Sequence, residues 1–428
     1  MKRLVPVIVI ALLLAGCGSL KFWGDDDDGK ARAEPAAARD EAGAAALDDA
    51  GGPRRAEDEE EDEDEDELPD LPDLEATVTL DREWSIGLGD EQEPFDATLR
   101  PAVADGTVYA AGREGRVVAV DAAEGDRRWR SDLDALLTGG VGVGAGLVLV
   151  GTVTGDLIAL HAETGEEAWR AGLSSEILAP AAASGDLVVV QTQDAKVHGL
   201  AASDGSQRWS FASDLPVLTL RGTATPLISD NLVLVGFANG KLAALDATTG
   251  VPRWEARVAM PSGRTELERM VDLSSPVLGG DIVYAVAYQG RVGAYTKGSG
   301  RELWTRDASS HQPPAQALNQ LYLVDVEDRV VALRATGGQE LWVNADLRKR
   351  NLTAPLALGR VVAVADGEGY VHLLSAVDGK LVGRKKVDGD GISVPMASDG
   401  ERIFVQDNST DLTAYRVHGA PEGEDAGE

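Results

Sequence analysis

Residues 157–169 read Leu-Ile-Ala-Leu-His-Ala-Glu-Thr-Gly-Glu-Glu-Ala-Trp: a short apolar run, a turn glycine and a tryptophan four residues after it. This glycine–tryptophan pair occurs six times, at Gly125/Trp129, Gly165/Trp169, Gly205/Trp209, Gly250/Trp254, Gly300/Trp304 and Gly338/Trp342. A period of about 40 residues indicates a repeat protein whose unit contains strand, tight turn and strand. Four short strands fit in such a unit, which is the size of one propeller blade.

A second marker, a proline or glycine that opens an apolar run, counts the repeats independently. It stands at Pro101, Gly140, Pro180, Pro226, Pro276, Pro314, Pro355 and Pro395. Eight markers predict an all-β fold, an eight-bladed β-propeller of four-stranded antiparallel blades. A seventh phrase keeps Gly379 but has Gly383 where tryptophan would stand.

The last repeat ends on one strand, residues 412–417, so its blade lacks a final strand. An unpaired strand edge is unfavourable, and the segment 81–86, which carries Trp84, has no partner nearby in sequence. We therefore predict that this N-terminal strand pairs with the last blade and closes the ring.

The repeated tryptophans have two interpretations: platforms for sugars or bases, or core residues. Their fixed distance from a turn glycine favours one shared slot between neighbouring sheets, where burying an indole contributes about 2–3 kcal/mol. The glycines suit tight hairpin turns, and no lysine or helix of a phosphate-binding loop accompanies them.

The N-terminus predicts export. Lys2 and Arg3 precede an apolar run over residues 4–14, which leads to Leu-Ala-Gly-Cys at 14–17. Residues 1–16 are the predicted signal peptide, and the resemblance of this box to bacterial lipoproteins implies a palmitate-type lipid anchor on Cys17. The alternative, a short membrane span, needs about 20 apolar residues. Gly18 in place of aspartate indicates an outer-membrane anchor with the protein facing the periplasm.

Cysteine and histidine usage limits the available chemistry. Cys17 is the only cysteine, which excludes disulfides and thiol chemistry from the folded part. Five histidines show no metal-ligand spacing: His161, His198, His311, His372 and His418. We expect no catalytic residues, no metal and no cofactor.

Residues 17–77 form a predicted disordered linker that begins at the lipidated cysteine. Between 18 and 75 it holds 23 acidic and 6 basic residues, about half of the whole chain's net charge of −32. Such a segment cannot bury enough apolar surface to fold, and its run of acids at 57–67 lacks the spaced ligands of a calcium loop. The predicted propeller, residues 78–417, is also acidic, which argues against nucleic acid as a partner. Residues 418–428 are a predicted disordered tail.

Two repeats are longer than the rest. Trp209 to Trp254 spans 45 residues and Trp254 to Trp304 spans 50, against 40 for the two preceding intervals. The extra residues fall in 214–222 and 260–272, before the opening strands of adjacent blades. Both loops should therefore emerge on the same face of the propeller.

The chemistry of these loops suits a protein partner. Leu218, Leu220 and Arg221 combine apolar side chains with a planar cation, a mixture found at interface hot spots. The second loop supplies charges that could orient Arg221 or pair with a partner: Arg264, Glu266, Glu268, Arg269 and Asp272. Alternatively, the leucines begin a strand and the charges only solubilise a loop; composition does not decide between these readings.

The lipoprotein box, the repeats and two strings, Val-Leu-Thr-Leu-Arg-Gly at 217–222 and Gly-Arg-Thr-Glu-Leu-Glu-Arg-Met-Val-Asp at 263–272, together resemble the BamB family. This family of PQQ-like repeat lipoproteins serves the outer-membrane β-barrel assembly (BAM) complex as a scaffold. The resemblance implies that a BamA-type insertase subunit binds through its POTRA region, with nascent outer-membrane proteins as further candidate partners.

The implied contact residues are Leu218, Leu220, Arg221 and Asp272, with Arg264, Glu266 and Arg269 as additional candidates. The family commonly has a second acidic residue two places after the first, where this chain has Ser274. The long acidic linker also differs from the short one usual in the family.

Two other classes share the repeats. Quinoprotein dehydrogenases are similar eight-bladed propellers, but they carry long insertions over a quinone and calcium site, which this chain lacks. A propeller lipoprotein of other envelope machinery would have the same repeats, but it would not be expected to keep both loop strings.

Overall fold

The computed structural model describes residues 68–89, 98–387 and 390–419, and the regular elements in these ranges are all β-strands. Cys17, the predicted signal peptide, the linker up to residue 67 and the tail from residue 420 lie outside the described residues. Within the described ranges, there is no helix with the length and hydropathy to cross a membrane.

The strands form eight sheets, here called blades 1 to 8. Blades 1 to 4 comprise β3 (Ala102–Ala104), β4 (Thr107–Ala111), β5 (Arg116–Asp121), β6 (Arg127–Asp132); β7 (Leu137–Gly144), β8 (Leu147–Thr152), β9 (Asp156–His161), β10 (Glu167–Gly172); β11 (Ala182–Ser184), β12 (Leu187–Thr192), β13 (Lys196–Ala201), β14 (Gln207–Ala212); and β15 (Leu227–Ser229), β16 (Leu232–Gly236), β17 (Lys241–Asp246), β18 (Pro252–Arg257). Each of these blades runs from an inner to an outer strand in chain order.

Blades 5 to 7 repeat this order, and blade 8 combines the two ends of the chain. They comprise β19 (Val277–Gly279), β20 (Ile282–Val286), β21 (Arg291–Thr296), β22 (Glu302–Asp307); β23 (Ala315–Ala317), β24 (Gln320–Val324), β25 (Val330–Arg334), β26 (Glu340–Asn344); β27 (Leu356–Leu358), β28 (Val361–Ala365), β29 (Tyr370–Ser375), β30 (Leu381–Lys386); and β31 (Ala397–Ser398), β32 (Arg402–Gln406), β33 (Asp411–His418) with β1 (Thr79–Gly87). A two-residue strand, β2 (Thr98–Leu99), adds to blade 2 in parallel with β7.

The blades are held in a ring by eight hydrophobic clusters, each shared by two neighbouring sheets. Tyr109 of blade 1 and Val148 of blade 2 lie in one cluster, and the series continues to a cluster that joins Phe404 of blade 8 to Val108 of blade 1. The predicted eight-bladed propeller is confirmed. Blade 2 differs in having a fifth strand, because the long β7 leaves backbone groups that β2 can pair with.

The N-terminal strand closes the ring, as predicted. β1 pairs antiparallel with β33, with Leu80 opposite Val417 and Ile86 opposite Leu412. The order β1-β33-β32-β31 gives blade 8 its fourth strand, and both pairing strands extend slightly beyond the predicted bounds. The last blade, for which the sequence predicted a missing strand, therefore has no unpaired edge at β33.

The repeated tryptophans bridge successive blades, which confirms the core interpretation. Each indole Nε1 donates a hydrogen bond to a backbone carbonyl of the next blade: Trp84 to Ala122, Trp129 to Ala162, Trp169 to Ala202, Trp209 to Ala247, Trp254 to Lys297, Trp304 to Ala335 and Trp342 to Ala376, at 2.8 to 3.1 Å. The turn glycine of the next blade receives the ring: a Cβ on Gly205, whose φ is +71°, would lie 2.5 Å from Cε3 of Trp169.

Blade 7 has no such tryptophan, and the N-terminal segment occupies the position instead. A Cβ at Gly383 would lie 2.3 Å from the carbonyl oxygen of Val78. Thr77 and Val78 both direct their backbone N–H groups to the Val382 carbonyl at 2.9 Å. Gly383 is therefore explained by the close approach of the segment that leads into β1.

Residues 68–77 contact blades 6 and 7, although the predicted linker extends to residue 77. Arg350 Nη1 donates to the Pro69 carbonyl at 3.4 Å, and Arg384 Nη2 donates to the Pro72 carbonyl at 3.0 Å. Leu71 packs against the cluster shared by these two blades. The linker prediction therefore stays open only for the residues before Leu68.

Replacing one bridging tryptophan should destabilise the whole ring. Trp169 is 8% exposed and donates to Ala202 at 2.8 Å, so Trp169→Ala removes a packed indole and leaves a carbonyl without its donor. We expect the free energy of unfolding to fall by about 3–5 kcal/mol, measured by chemical denaturation. Arg170→Ala, a change at the next and exposed position, should alter it by less than about 0.5 kcal/mol. Equal effects of the two variants would contradict the bridging role.

Candidate functional site

Two long loops between blades lie against each other. The first connects β14 to β15 and the second connects β18 to β19, so both occupy the same place in consecutive repeats. The Leu220 backbone N–H donates to Asp272 Oδ2 at 2.8 Å, and the Thr225 N–H donates to Ser275 Oγ at 2.8 Å. These bonds join the loops into one continuous surface, here called the docking surface (residues 214–222 and 260–272).

The second loop has a local reason for its compact shape. Glu268 accepts hydrogen bonds from the backbone N–H groups of Arg264 at 2.6 Å and Thr265 at 3.2 Å, while Thr265 Oγ1 accepts from the Glu268 N–H at 3.2 Å. This reciprocal arrangement is the capping box that a Thr-x-x-Glu sequence favours. Leu267, which lies within this turn, is exposed.

The docking surface exposes apolar side chains. Val217 is 81% exposed and Leu218 is 45% exposed, while Leu220 is half-buried. Met260 and Leu267 of the second loop are exposed as well. Leu218 and Leu220 lie in a loop and do not begin a strand, because β15 starts only at Leu227. Large apolar side chains exposed on neighbouring loops are consistent with a protein-interaction site.

Arg221 is held in place by the preceding blade. Its Nη2 lies 2.8 Å from Glu176 Oε1, and Glu176 belongs to the connection between β10 and β11. The sequence pointed to second-loop charges as candidates to orient this guanidinium, and Glu176 was missed because it lies 45 residues away in an ordinary-length connection. The Arg221 guanidinium therefore lies close in sequence to the exposed Val217 and Leu218 and is ion-paired with Glu176.

Asp272 lies under the surface. It is 8% exposed, and its Oδ2 accepts the Leu220 N–H while its carbonyl accepts the Tyr288 N–H at 2.8 Å. Burial raises the pKa of its carboxyl group to about 6. The geometry makes Asp272 a residue that positions the Leu218–Arg221 segment from below.

The other predicted site residues fall into two groups. Arg264, Glu266 and Arg269 are exposed on the second loop, with Arg269 Nη1 3.8 Å from Glu266 Oε1. Ser274 is buried, and its hydroxyl donates to the Val286 carbonyl at 3.3 Å. The first three can reach a partner, whereas Ser274 is part of the support that fixes the second loop to β20.

The burial of Asp272 predicts a pH dependence of stability. Its folded pKa is about 6 against an ordinary value of 3.8, so the folded protein holds a proton between those values that the unfolded chain releases. The free energy of unfolding should therefore fall as pH rises from about 4 to 6, by up to about 3 kcal/mol, and stay reduced above pH 6. Asp272→Asn keeps an oxygen acceptor for Leu220 and should be about 1–2 kcal/mol more stable than wild type at pH 7.5.

This difference should disappear near pH 4, as measured by urea unfolding at several pH values. Asp214→Asn, an exposed change in the first loop, is the matched control and should follow the wild type throughout. A constant difference between Asp272→Asn and wild type from pH 4 to 7.5 would show that Asp272 is not the titrating group.

The described residues contain clusters of titratable side chains, both buried and exposed. No group of three or more histidine, aspartate or glutamate side chains there is arranged to hold a metal ion. One buried set of titratable side chains is Arg350, Asp366 and His372: Asp366 Oδ2 lies 2.6 Å from Arg350 Nε and 2.9 Å from His372 Nε2. All three are buried, so they join blade 7 to its preceding loop and are closed to a substrate.

The chain is similar to proteins of one family over almost all of the described residues. A family model described as "Outer membrane protein assembly factor BamB" matches residues 84–135, 113–344 and 326–420. The protein of that name from Pseudomonas aeruginosa is 54% identical over 354 residues, which cover 82% of this chain and 93% of the relative. The one from Escherichia coli is 38% identical over 359 residues, covering 81% and 91%.

Solved structures agree with the sequence relatives. The crystal structure of BamB from Moraxella catarrhalis superposes with a TM-score of 0.72 at 31% identity, covering 79% of this chain and 99% of that one. A quinohemoprotein alcohol dehydrogenase from Pseudomonas putida superposes with a TM-score of 0.61 at 15% identity, covering 82% and 78%. At that identity the second likeness concerns the propeller fold alone.

Proposed function

Because the chain belongs to the BamB family of outer membrane protein assembly factors, we propose that it is a non-catalytic docking lipoprotein of that assembly. Its partner is the POTRA region of a BamA-type insertase subunit, and its docking surface makes the contact. The observation that carries the proposal is the exposed patch of Val217 and Leu218 beside Arg221, on loops that the rest of the ring holds in place.

The candidate contact residues differ in how far they are buried. Leu218 and Arg221 are exposed and can touch a partner directly, with Arg264, Glu266 and Arg269 at the rim. Leu220 is half-buried and Asp272 is buried, so they shape the surface from within. This division matches the usual anatomy of protein interfaces, in which a small apolar and aromatic or arginine centre is surrounded by polar residues.

The anchor completes the proposal. A lipid on Cys17 would hold the chain at the outer membrane on its periplasmic side, and the acidic linker would let the propeller reach the insertase. This part rests on the sequence of residues 1–67.

An affinity capture from mildly solubilised membranes tests the proposal. Tagged full-length protein should recover an outer-membrane protein that carries POTRA domains, identified by mass spectrometry, and Arg221→Glu should lose it. Recovery of other envelope proteins with no POTRA-containing protein would instead place this chain with different envelope machinery.

A further inference from the structure

Arg100 lies at the inner edge of the propeller, beside the central channel. Its backbone pairs with β7, since its N–H donates to the Gly140 carbonyl and its carbonyl accepts the Val141 N–H, both at 3.0 Å. In the sheet of blade 2, β10 is the outer strand and β2 is the inner edge, and Arg100 directly follows β2. The inner edges of propeller blades face the central channel.

The Arg100 side chain reaches from the start of blade 1 to the start of blade 4. Its Nη2 donates to Thr225 Oγ1 at 3.3 Å, and the Thr225 N–H is held by Ser275 Oγ at 2.8 Å. All three residues directly precede the proline that opens a blade, and Thr225 and Ser275 end the two connections that carry the docking surface. The guanidinium therefore stands at the channel mouth on the face that carries the docking surface.

Among the described residues, the Arg100 guanidinium forms no ion pair, and its side chain donates a hydrogen bond to Thr225. Burial lowers the pKa of this guanidinium, yet an arginine keeps its proton at neutral pH. A buried arginine is usually paired with a carboxylate, as Arg350 is in this protein: its Nε lies 2.6 Å from the Asp366 carboxylate. A half-buried guanidinium with five N–H donors and one neutral acceptor is a ready site for an anion.

We propose that Arg100 and Thr225 form a carboxylate-binding site at the channel mouth, which takes an acidic side chain of the protein that docks on this face. The guanidinium offers paired N–H donors that match a carboxylate. Thr225 Oγ1 accepts from Arg100, so its hydroxyl hydrogen can donate to the same anion. The partner's identity rests on the proposed function, whereas the site itself does not.

The site is tested first without any protein partner. Full-length protein labelled with ¹⁵N-arginine is titrated with sodium acetate, with sodium chloride at matched ionic strength as control. We expect a saturable shift of one Nε–Hε signal with acetate, absent with chloride, and missing in Arg100→Gln. Arg221→Gln should leave that signal in place. Equal shifts with acetate and chloride, or none with either, would overturn the carboxylate site.

The partner is tested by calorimetry with a purified POTRA region. Arg100→Gln should weaken binding about tenfold, and Arg100→Lys should recover part of it, because lysine restores the charge without the paired donors. Thermal melting of each variant separates this effect from a loss of folding. The acetate titration tests the carboxylate site independently of the calorimetric result with the POTRA region.

The outcomes separate the two proposals. If wild-type protein does not bind the POTRA region, the proposed function fails while the acetate titration still decides the site. If acetate binds but well-folded Arg100→Gln binds the POTRA region as wild type does, the assignment of the carboxylate to that partner is wrong.

Discussion

Arg221→Glu should abolish binding to the POTRA region, with an affinity reduced about 100-fold or more, while the melting temperature stays within about 3 °C of wild type. A central interface arginine contributes about 2–4 kcal/mol, and each 1.4 kcal/mol is a factor of ten in affinity. Here the change also reverses the charge beside an exposed apolar patch and places a glutamate against Glu176, 2.8 Å from the present guanidinium. Calorimetric titration and thermal melting of the same samples measure the two quantities.

A charge-swapped variant separates direct contact from loop positioning. Arg221→Glu combined with Glu176→Arg restores an ion pair of opposite polarity, so the loop keeps its support while the partner meets the wrong charge. We expect the double variant to bind as poorly as Arg221→Glu alone. Leu218→Asp should also lose binding, whereas the exposed Asp214→Asn should not. Recovery of binding in the double variant would mean that Arg221 acts only by holding the loop.

Deleting residues 18–87 should prevent cooperative folding, whereas deleting residues 18–67 should leave the melting temperature unchanged. The longer deletion removes β1 and with it the fourth strand of blade 8, including buried Leu80 and the Trp84 hydrogen bond to Ala122 at 3.1 Å. Losing a packed tryptophan alone amounts to about 3–5 kcal/mol, against a total stability of about 5–15 kcal/mol for a typical domain. It also leaves β33 as an unpaired edge that favours aggregation.

Circular dichroism melting and size-exclusion chromatography would follow both deletions. Trp84→Ala in the full chain provides an intermediate case, with an expected loss of about 3 kcal/mol. If the longer deletion melted like the shorter one, ring closure by β1 would contribute little to stability.

The fold could be predicted from the sequence because each blade repeats the same local requirements. A turn glycine must leave room for the ring of the tryptophan in the preceding blade, as Gly205 does for Trp169. The repeated spacing of glycine and tryptophan therefore reflects how neighbouring blades pack. Closure followed from counting strands and finding one too few at the end. β2 could not be predicted, because two residues carry no periodic pattern and the pairing depends on backbone groups that β7 exposes.

The two long loops could be located from the sequence, but the burial of their individual side chains could not. Irregular spacing located both loops, and the resemblance implied Asp272 as a contact residue, with Arg264 as an additional candidate. Burial distinguishes them, since Asp272 supports Leu220 from below while Arg264 is exposed. Glu176 and Arg100 had no local signal, because their importance comes from side chains that reach across blades.

The pairing of β1 with β33 also sets the order of events in time. Ser85 Oγ and Thr413 Oγ1 lie 2.9 Å apart although 328 residues separate them. β1, the first strand to be synthesised, can therefore pair only after β33, the last strand, has been synthesised. A chain emerges from the ribosome N-terminus first, and bringing such distant segments together is the slow part of folding. In a chain that lacks β33, β1 has no partner and β32 has an unpaired edge, so the open ring would mark the chain as incomplete for the proteases and chaperones of its compartment.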